Sequence, residues 1–401
     1  MKKNLINALL FLFALAVFTG CKKDEYERIQ IVKMISVKEM RALPVGMTKA
    51  VQAKRTGKIY IYNNYLFINE PNEGIHIYNN TNPSVPVNVG FLQIPGNVDL
   101  AVHNNILYAD NFIDLLAFDI SNMNNIKQVK RVTDVFNQLY SAGAEKYLYT
   151  YKDTLVKKQT YKKGMFYDAA YFSNASSQGG SSGQGGSMAR FTLMNDYLYT
   201  VGMNKLSLFD VKTASNPTFL KAINLDWGVE TIFPHENKLF IGTNRGMHIF
   251  STTDPANPVK LSTYSHIFAC DPVVVQGKYA YVTLRTGNLC RQASNQLEVV
   301  DIEDPTKPQQ IAVYPMQNPH GLSTIGDNLF LCEGNYGIKS FSIANKTKIA
   351  DNMLQHLSNV KSFDVIAGPK SLIVTGDDGV YQFNYNNAAN LTQLSVIKVQ
   401  L

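Results

Sequence analysis

The stretch Asn104-Asn105-Ile106-Leu107-Tyr108 is a polar turn followed by an apolar run, and it lies at the centre of the pattern that decides the fold. Reading outward from it, residues 99–102 and 106–109 predict two short strands joined by this turn. Residues 115–119 and 126–132 predict two more strands. The unit therefore consists of four consecutive strands with short connections, as expected for a small antiparallel sheet.

The same turn and strand recur at seven places along the chain. The fourth residue of the pattern repeats at intervals of about 41 residues, with two longer intervals of 91 and 49 residues. A period of this length indicates one repeated structural unit rather than several unrelated domains. The seven copies are Asn63–Phe67, Asn104–Tyr108, Asn195–Tyr199, Glu236–Phe240, Gly277–Tyr281, Gly326–Phe330 and Pro369–Ile373.

The third predicted strand also recurs, with apolar and polar residues alternating as in Gly246-Met247-His248-Ile249-Phe250. The turn after it is rich in Asp, Asn and Pro, as in Asp254-Pro255-Ala256-Asn257-Pro258. Asx side chains and the fixed φ of proline both favour such turns. Seven four-stranded units of this length predict an all-β fold, a seven-bladed β-propeller. The alternative is eight blades, with the eighth inside an insertion at about residues 137–187.

The strand Leu297-Glu298-Val299-Val300-Asp301, followed by Asp304-Pro305 and Pro308, resembles the repeat of the LVIVD-repeat proteins. The resemblance covers roughly residues 56–401 and departs from the pattern in the sixth and seventh units, where the paired prolines are missing. It implies a surface-associated propeller, often a lipoprotein, without an assigned chemistry. The resemblance therefore supports the fold and the location and leaves the function open.

The N-terminal residues predict export and lipidation. Lys2 and Lys3 precede a mainly apolar run over residues 4–17, and Phe18-Thr19-Gly20-Cys21 follows, which resembles the lipobox of bacterial lipoproteins. Residues 1–20 are thus predicted to be a signal peptide. Cys21 is predicted to carry the acyl chains, palmitate among them, that hold the protein on a membrane. Residues 21–55 would form a tether, with a candidate strand at 29–37 that closes the last blade, and residues 56–401 the propeller.

The stretch Lys22-Lys23-Asp24-Glu25 resembles the tag that exports lipoproteins to the surface of Gram-negative bacteria of the Bacteroides type. It predicts a lipid anchor in the outer membrane with the propeller facing outward, and the periplasmic face is the alternative. The formal charge of the chain, +7, is mild for 401 residues and forms no basic stripe. This charge argues against a dedicated nucleic-acid-binding protein.

Polar residues mark the starts of the predicted innermost strands, where they would line the central channel at one face of the ring. An unpaired buried charge is costly, so these groups either pair with one another or form a ligand site. The sequence leaves both interpretations open. Trp227 precedes the fourth inner strand and is expected at the same face. The candidate funnel residues are Lys58, Asp99, Arg190, Trp227, Glu230, Asp271, His320 and Asp364.

Two insertions are expected at that same face. Residues 173–187 of the larger one are rich in Ser, Gly and Gln and predict a flexible tether. The smaller insertion, residues 285–296, carries Cys290. Cys332 ends a strand of the neighbouring blade, so Cys290 and Cys332 are a candidate disulfide.

The sequence contains no serine-nucleophile motif, no HExxH and no Cys/His cluster with metal-ligand spacing. Its Asp-rich loops offer oxygen ligands suited to calcium but lack the EF-hand spacing, so no metal or other cofactor is predicted. The sequence favours a non-enzymatic binding propeller whose ligand, a glycan or a protein, meets the funnel face. Two alternatives stay open: a polysaccharide-active enzyme that uses the funnel carboxylates, and a scaffold subunit of an outer-membrane complex.

Overall fold

A computed structural model describes residues 26–136, 140–142, 145–157, 184–187, 189–202, 204–265, 272–286 and 294–400. It confirms the seven-bladed β-propeller, in which seven antiparallel four-stranded blades follow one another along the chain. The helical elements of the described residues are α1 (Val37–Arg41) and one turn of 3-10 helix at Ala350–Asn352.

Each blade is formed by one continuous segment, with its first strand innermost and its fourth outermost. The first four blades are β3 (Ile59–Tyr62), β4 (Tyr65–Glu70), β5 (Gly74–Asn79) and β6 (Val87–Gln93); β7 (Leu100–His103), β8 (Ile106–Asn111), β9 (Asp114–Asp119) and β10 (Lys127–Val132); β14 (Phe191–Met194), β15 (Tyr197–Gly202), β16 (Lys205–Asp210) and β17 (Thr218–Asn224); and β18 (Val229–His235), β19 (Lys238–Thr243), β20 (Gly246–Ser251) and β21 (Val259–Ser265).

The remaining blades follow the same order. They are β22 (Val273–Gln276), β23 (Tyr279–Leu284), β24 (Gln296–Asp301) and β25 (Gln309–Pro315); β26 (Leu322–Ile325), β27 (Asn328–Cys332), β28 (Ile338–Ser342) and β29 (Met353–Leu357); and β30 (Asp364–Ala367), β31 (Leu372–Gly376), β32 (Gly379–Asn384) and β33 (Thr392–Lys398). Outside the blades lie β1 (Tyr26–Ser36), β2 (Gly46–Thr48), β11 (Tyr140–Ala142), β12 (Glu145–Lys157) and β13 (Gln184–Gly185).

The turns form as their residues predict. Asn104 and Asn105 have φ values of 48° and 59°, left-handed values that Asn tolerates better than most residues. Between the third and fourth strands, Asp254 accepts a hydrogen bond from the backbone N–H two residues on. Asn345 and Asn387 do the same in blades 6 and 7, where the paired prolines are missing. An Asx residue stands at this position in six of the seven blades, with Thr213 in blade 3, so it recurs more widely than the paired prolines.

A β-bulge recurs in the outermost strand of every blade, and the sequence pattern did not reveal it. In each blade the register between the third and fourth strands shifts by one residue, which leaves one residue of the fourth strand without a partner. A β-bulge increases the local twist of its strand. The fourth strand of every blade therefore has the same additional twist. The seven bulged residues are Val89, Val129, Leu220, Leu261, Ile311, Leu354 and Leu394.

The core lies between neighbouring blades, where buried aromatic side chains of one blade reach the turns of the next. The Tyr108 hydroxyl donates to the carbonyl of Ala214 at 2.7 Å, and the Tyr199 hydroxyl donates to Pro255 at 2.6 Å. Both tyrosines are fully buried. A buried tyrosine needs such a partner, so these bonds fix the position of each blade on its neighbour.

The predicted closing strand at residues 29–37 does not join the last blade. β1 pairs with β12, and blade 7 takes all four strands from the C-terminal segment. The segment before blade 1 instead contacts the chain end through single bonds, such as that from the Gln400 N–H to the Ala53 carbonyl at 2.7 Å. β2 adds an outer strand to blade 1. The strand prediction was wrong because an alternating pattern shows that a strand forms and not where it pairs.

Residues 26–34 and 149–157, among those described, form a compact unit of their own. Within it β1 pairs with β12, and the Thr150 hydroxyl donates to the Lys33 carbonyl at 3.0 Å. The other described residues form the propeller unit, which also holds α1. Ser36 caps α1 through a reciprocal capping box with Glu39.

Candidate functional site

The end of the large insertion enters the centre of the ring. We call residues 184–187 and 189–190 the strap. Its first two residues form β13, which pairs antiparallel with the innermost strand of blade 1, Gln184 opposite Ile61 and Gly185 opposite Tyr60. The strap therefore lies where the sequence predicted a water-filled channel. Residues 184–187 are the described part of the stretch 173–187 that was predicted to be a flexible tether; β13 is paired there, and Gly186 and Ser187 are buried.

Ser187 holds the strap to the last two blades. Its backbone N–H and its hydroxyl both donate to Oδ1 of Asp364, at 3.2 and 3.1 Å. The same hydroxyl accepts a bond of 2.6 Å from the N–H of Leu322 in blade 6. Ser187 and Asp364 are fully buried. One serine thus connects blades 6 and 7 at the ring centre.

The far end of the strap is held by blades 2 and 4. The Ala189 carbonyl accepts a bond of 2.8 Å from the N–H of Ile232 in blade 4. Oδ2 of Asp99, just before blade 2, accepts bonds from the N–H groups of Arg190 and Phe191 at 2.6 and 3.1 Å. Lys58 Nζ lies 3.4 Å from the same oxygen, and Lys58 and Asp99 are both buried.

Burial changes the protonation of these groups. Removal from water lowers the pKa of Lys58 to about 8, although the nearby Asp99 opposes the shift. Burial raises the pKa of Asp364 to about 7, against the hydrogen bonds from Val365 and Ser187. Burial also raises the pKa of Asp110 to about 6, although its Oδ1 accepts bonds from the N–H groups of Val98 and Asp99. Three ionisable groups near the strap therefore have pKa values close to neutrality.

The structure brings together four of the eight candidate funnel residues. Asp99 and Asp364 hold the strap, Arg190 is part of it, and Lys58 pairs with Asp99. Sequence reasoning did not identify Ser187, since a serine in a Ser/Gly-rich stretch carries no sign of the partner that it meets. Asp271 of the candidate set lies outside the described residues, as do Cys21 and Cys290.

His320, Arg285 and Glu230 occupy the same end of the inner strands. His320 is buried and packs edge-on against Phe363, with ring centroids 5.0 Å apart. Burial holds the pKa of His320 well below its usual value, and Arg285 adds to the shift. Burial therefore favours the neutral form of the His320 ring. Burial lowers the pKa of the Arg285 guanidinium, while the charge of Glu230 raises it.

The predicted disulfide pairs Cys332 with Cys290, which lies outside the described residues. Cys332 is a free, fully buried thiol at the end of β27. Its side chain belongs to the apolar cluster between blades 6 and 7, with Ile338 and Val365. The sequence placed Cys332 at the end of a strand, at the face where the two insertions were expected. Its side chain instead packs in the core.

Trp227 is the residue that remains accessible. It lies on the short connection between β17 and β18 and is 69% exposed, whereas the flanking Val229 is buried. Asp226 Oδ2 lies 3.2 Å from Nε2 of the buried His248. The Gly228 carbonyl accepts a bond of 2.9 Å from the Asn244 N–H, and its φ of 83° suits glycine. The connection is thus fixed on both sides of an exposed aromatic side chain.

A second exposed aromatic side chain lies on a loop within blade 6. Tyr336, in the loop between β27 and β28, is 48% exposed. Its N–H donates to the Glu333 carbonyl at 3.0 Å, and His356 Nε2 lies 2.6 Å from its carbonyl oxygen. Both aromatic residues are therefore presented by loops whose backbones are hydrogen-bonded.

Within the described part of the chain, no group of three or more His, Cys, Asp or Glu side chains is arranged to hold a metal ion. No helix of that part has the length and apolar character needed to cross a bilayer.

An LVIVD-repeat family model matches residues 269–314, which span the fifth blade. No curated protein matches the sequence. One similar solved structure is a protein from Lactobacillus plantarum, with 12% identity over 86% of this chain and 97% of that one and a TM-score of 0.56. Another is Sqt1 from Saccharomyces cerevisiae, with 8% identity over 89% of each chain and a TM-score of 0.54. BamB from Moraxella catarrhalis is also similar, with 7% identity over 88% of this chain and 96% of that one and a TM-score of 0.50. At these identities the likeness shows the fold alone. The chain is a seven-bladed β-propeller that carries an LVIVD repeat in its fifth blade.

Proposed function

We propose that this protein is a non-enzymatic interaction propeller, anchored to the outer membrane through lipid on Cys21 and facing the cell surface. Its ligand, a glycan or a protein, would meet the ring at Trp227. One observation carries the proposal: Trp227 is 69% exposed, while the backbone on either side of it is hydrogen-bonded, the Leu225 N–H to the Asn204 carbonyl and the Gly228 carbonyl to the Asn244 N–H.

A rigid exposed aromatic side chain is a favourable anchor because binding costs it little conformational entropy. The faces of an indole ring stack on the apolar faces of sugars, and tryptophan is also enriched among the residues that dominate protein interfaces. Glu230 and Arg245 lie nearby in the chain and supply charged groups for a polar rim. The same surface therefore suits either class of ligand.

The funnel carboxylates support binding better than the enzymatic alternative. Asp99 accepts backbone N–H groups of the strap, and Asp364 accepts the N–H and hydroxyl of Ser187. A general acid or base needs access to the proton that it transfers. Carboxylates that bind the strap contribute to the structure of the ring, so they lend no support to polysaccharide cleavage.

The proposal is testable by tryptophan fluorescence because Trp227 is the single tryptophan of the chain. Protein from Asp24 to Leu401 is titrated with a panel of glycans, and a ligand that stacks on the indole shifts or quenches the emission. Trp227→Ala lacks the fluorophore, so its binding is measured by isothermal titration calorimetry alongside the wild type; it should abolish binding and leave stability within about 0.5 kcal/mol, since the side chain is mostly exposed. Tyr336→Ala is the matched control at another exposed aromatic.

Crosslinking in intact cells tests whether the ligand is a protein. A crosslinked partner that is lost with Trp227→Ala and kept with Tyr336→Ala supports a protein at this site. A ligand of either class that binds equally well to wild type and Trp227→Ala contradicts the proposal. A partner bound elsewhere on the ring, with no ligand at Trp227, would favour the scaffold alternative.

The anchor is tested separately. Cys21→Ser should abolish incorporation of labelled palmitate and release the protein from the membrane fraction. Protease added to intact cells should digest the wild-type propeller if it faces outward and spare it if it faces the periplasm. Palmitate labelling of Cys21→Ser at the wild-type level would contradict the anchor without affecting the ligand proposal.

A further inference from the structure

Among the residues that the structure describes, no strand is shared between the first and last blades. Each blade is one continuous segment, so the junction of blades 7 and 1 depends on side chains and packing. The side-chain amides of Asn80 and Gln382 form two hydrogen bonds with each other there, at 2.9 and 2.8 Å. Lys370 Nζ donates to Asn64 Oδ1 at 2.7 Å. These contacts lie away from the ring centre.

The strap supplies the connection at the centre. It pairs with β3 of blade 1 through its backbone, binds Asp364 of blade 7 through Ser187, and accepts the Leu322 N–H of blade 6. It also bonds to Asp99 and Ile232, and it continues directly into blade 3. The six described residues of the strap therefore contact the inner strands on both sides of the 7–1 junction.

The strap packs so closely against Asp364 that only residues with small side chains or none fit between them. A Cβ added at Gly186 would lie 1.9 Å from Oδ2 of Asp364. A Cβ added at Gly321, in blade 6, would lie 2.9 Å from the Ser187 hydroxyl and 2.3 Å from Asp364 Oδ1. Distances this short do not occur in relaxed structures. The absence of side chains at both glycines is therefore what lets the strap pass Asp364.

We infer that the strap closes the propeller ring: it joins blade 1 to blade 7 from the inside and takes the place of a shared strand. The strap is short, and it contacts residues that are far from it in the sequence. These contacts hold the first and last of the seven consecutive blades together, so that the ring is closed. This role does not depend on the lipid anchor or on the ligand at Trp227.

The test is hydrogen exchange measured by mass spectrometry on the chain from Asp24 to Leu401, as wild type and as Gly186→Ala. The variant should exchange at least about tenfold faster in β3 and β30, the inner strands that the strap joins, with β23 of blade 5 unchanged. Gly202→Ala is the matched control, because a Cβ at Gly202 meets no atom within 4 Å. It should exchange like the wild type throughout.

A second variant covers the case in which Gly186→Ala fails to fold. Ser187→Ala removes the hydroxyl that links blades 6 and 7 and introduces no clash, so it should speed exchange in β26 and β30 by about tenfold. Its control, Ser262→Ala, removes a hydroxyl bond to the Pro305 carbonyl at the outer junction of blades 4 and 5. Equal acceleration in all seven blades, or none in β30, would overturn the inference.

Discussion

Ser187 donates both its backbone N–H and its hydroxyl to one carboxylate oxygen of Asp364, a residue 177 positions further along the chain. The bond joins the end of the large insertion to the first residue of the last blade. Oδ2, the other oxygen of Asp364, is buried without a hydrogen-bond partner. An unsatisfied buried oxygen disfavours the charged carboxylate, in agreement with the raised pKa of Asp364.

The first prediction concerns pH. Burial raises the pKa of Asp364 to about 7, whereas an unfolded aspartate titrates near pH 4. Between these values the folded state holds the proton more tightly, so Asp364 lowers the free energy of unfolding as pH rises from about 4 to about 7. The loss is at most about 4 kcal/mol and is complete above pH 7. Urea unfolding across pH 4–8 measures it.

Asp364→Asn removes this titration and keeps an acceptor for Ser187. The stability of the variant relative to the wild type should therefore increase over the same pH range. Asp377→Asn, in an exposed turn, is the matched control and should follow the wild-type profile. Parallel profiles for the wild type and Asp364→Asn would contradict the prediction.

The parts of the fold that depend on neighbouring residues could be predicted from the sequence. The turn at Asn104-Asn105 and the Asx turn at Asp254 form by local geometry, and their repetition gave the blade count. The contact between Ser187 and Asp364 could not be predicted in this way, because nothing near either residue specifies the other. Composition indicated only that residues 173–187 lack large side chains, which fits a tether and a tightly packed strap equally well.

The second prediction compares the two members of a buried ion pair. Asp99→Ala removes the carboxylate beside Lys58 and the acceptor of the Arg190 and Phe191 N–H groups, which should cost about 3–5 kcal/mol. Lys58→Met should cost less, about 2 kcal/mol at most, because Asp99 keeps its backbone donors. Urea unfolding at pH 7 gives both values. A larger loss for Lys58→Met than for Asp99→Ala would show that the lysine, not the carboxylate, organises this site.

The third prediction concerns the attachment of α1 to blade 2. The buried Asp114 accepts two bonds from Arg41, at 2.8 and 2.7 Å, and one from Arg131 at 2.7 Å. Burial alone would raise the pKa of Asp114, but these bonds lower it. Asp114→Ala should reduce stability by about 3 kcal/mol, since it removes the buried carboxylate that the two arginines share, although Arg41 keeps Asp134 and Arg131 keeps Asn111.

The control for Asp114→Ala is Glu303→Ala, which removes an exposed pair with Lys278 and should change stability little. Hydrogen exchange in residues 37–41 should also increase in Asp114→Ala. An unchanged exchange rate there would mean that the apolar contacts of Met40 hold the helix without the carboxylate.

The last prediction concerns Cys332. Burial raises the pKa of its thiol well above the usual value, and the side chain is inaccessible to solvent. Because thiolates react and thiols do not, Cys332 should resist alkylation in the folded protein. It should react fully in 6 M guanidinium without reductant, since it is free. Peptide mass spectrometry identifies the alkylated residue in each case. Recovery of Cys332 in a peptide crosslinked to Cys290 would restore the disulfide, and rapid alkylation of Cys332 under native conditions would show that blades 6 and 7 separate readily.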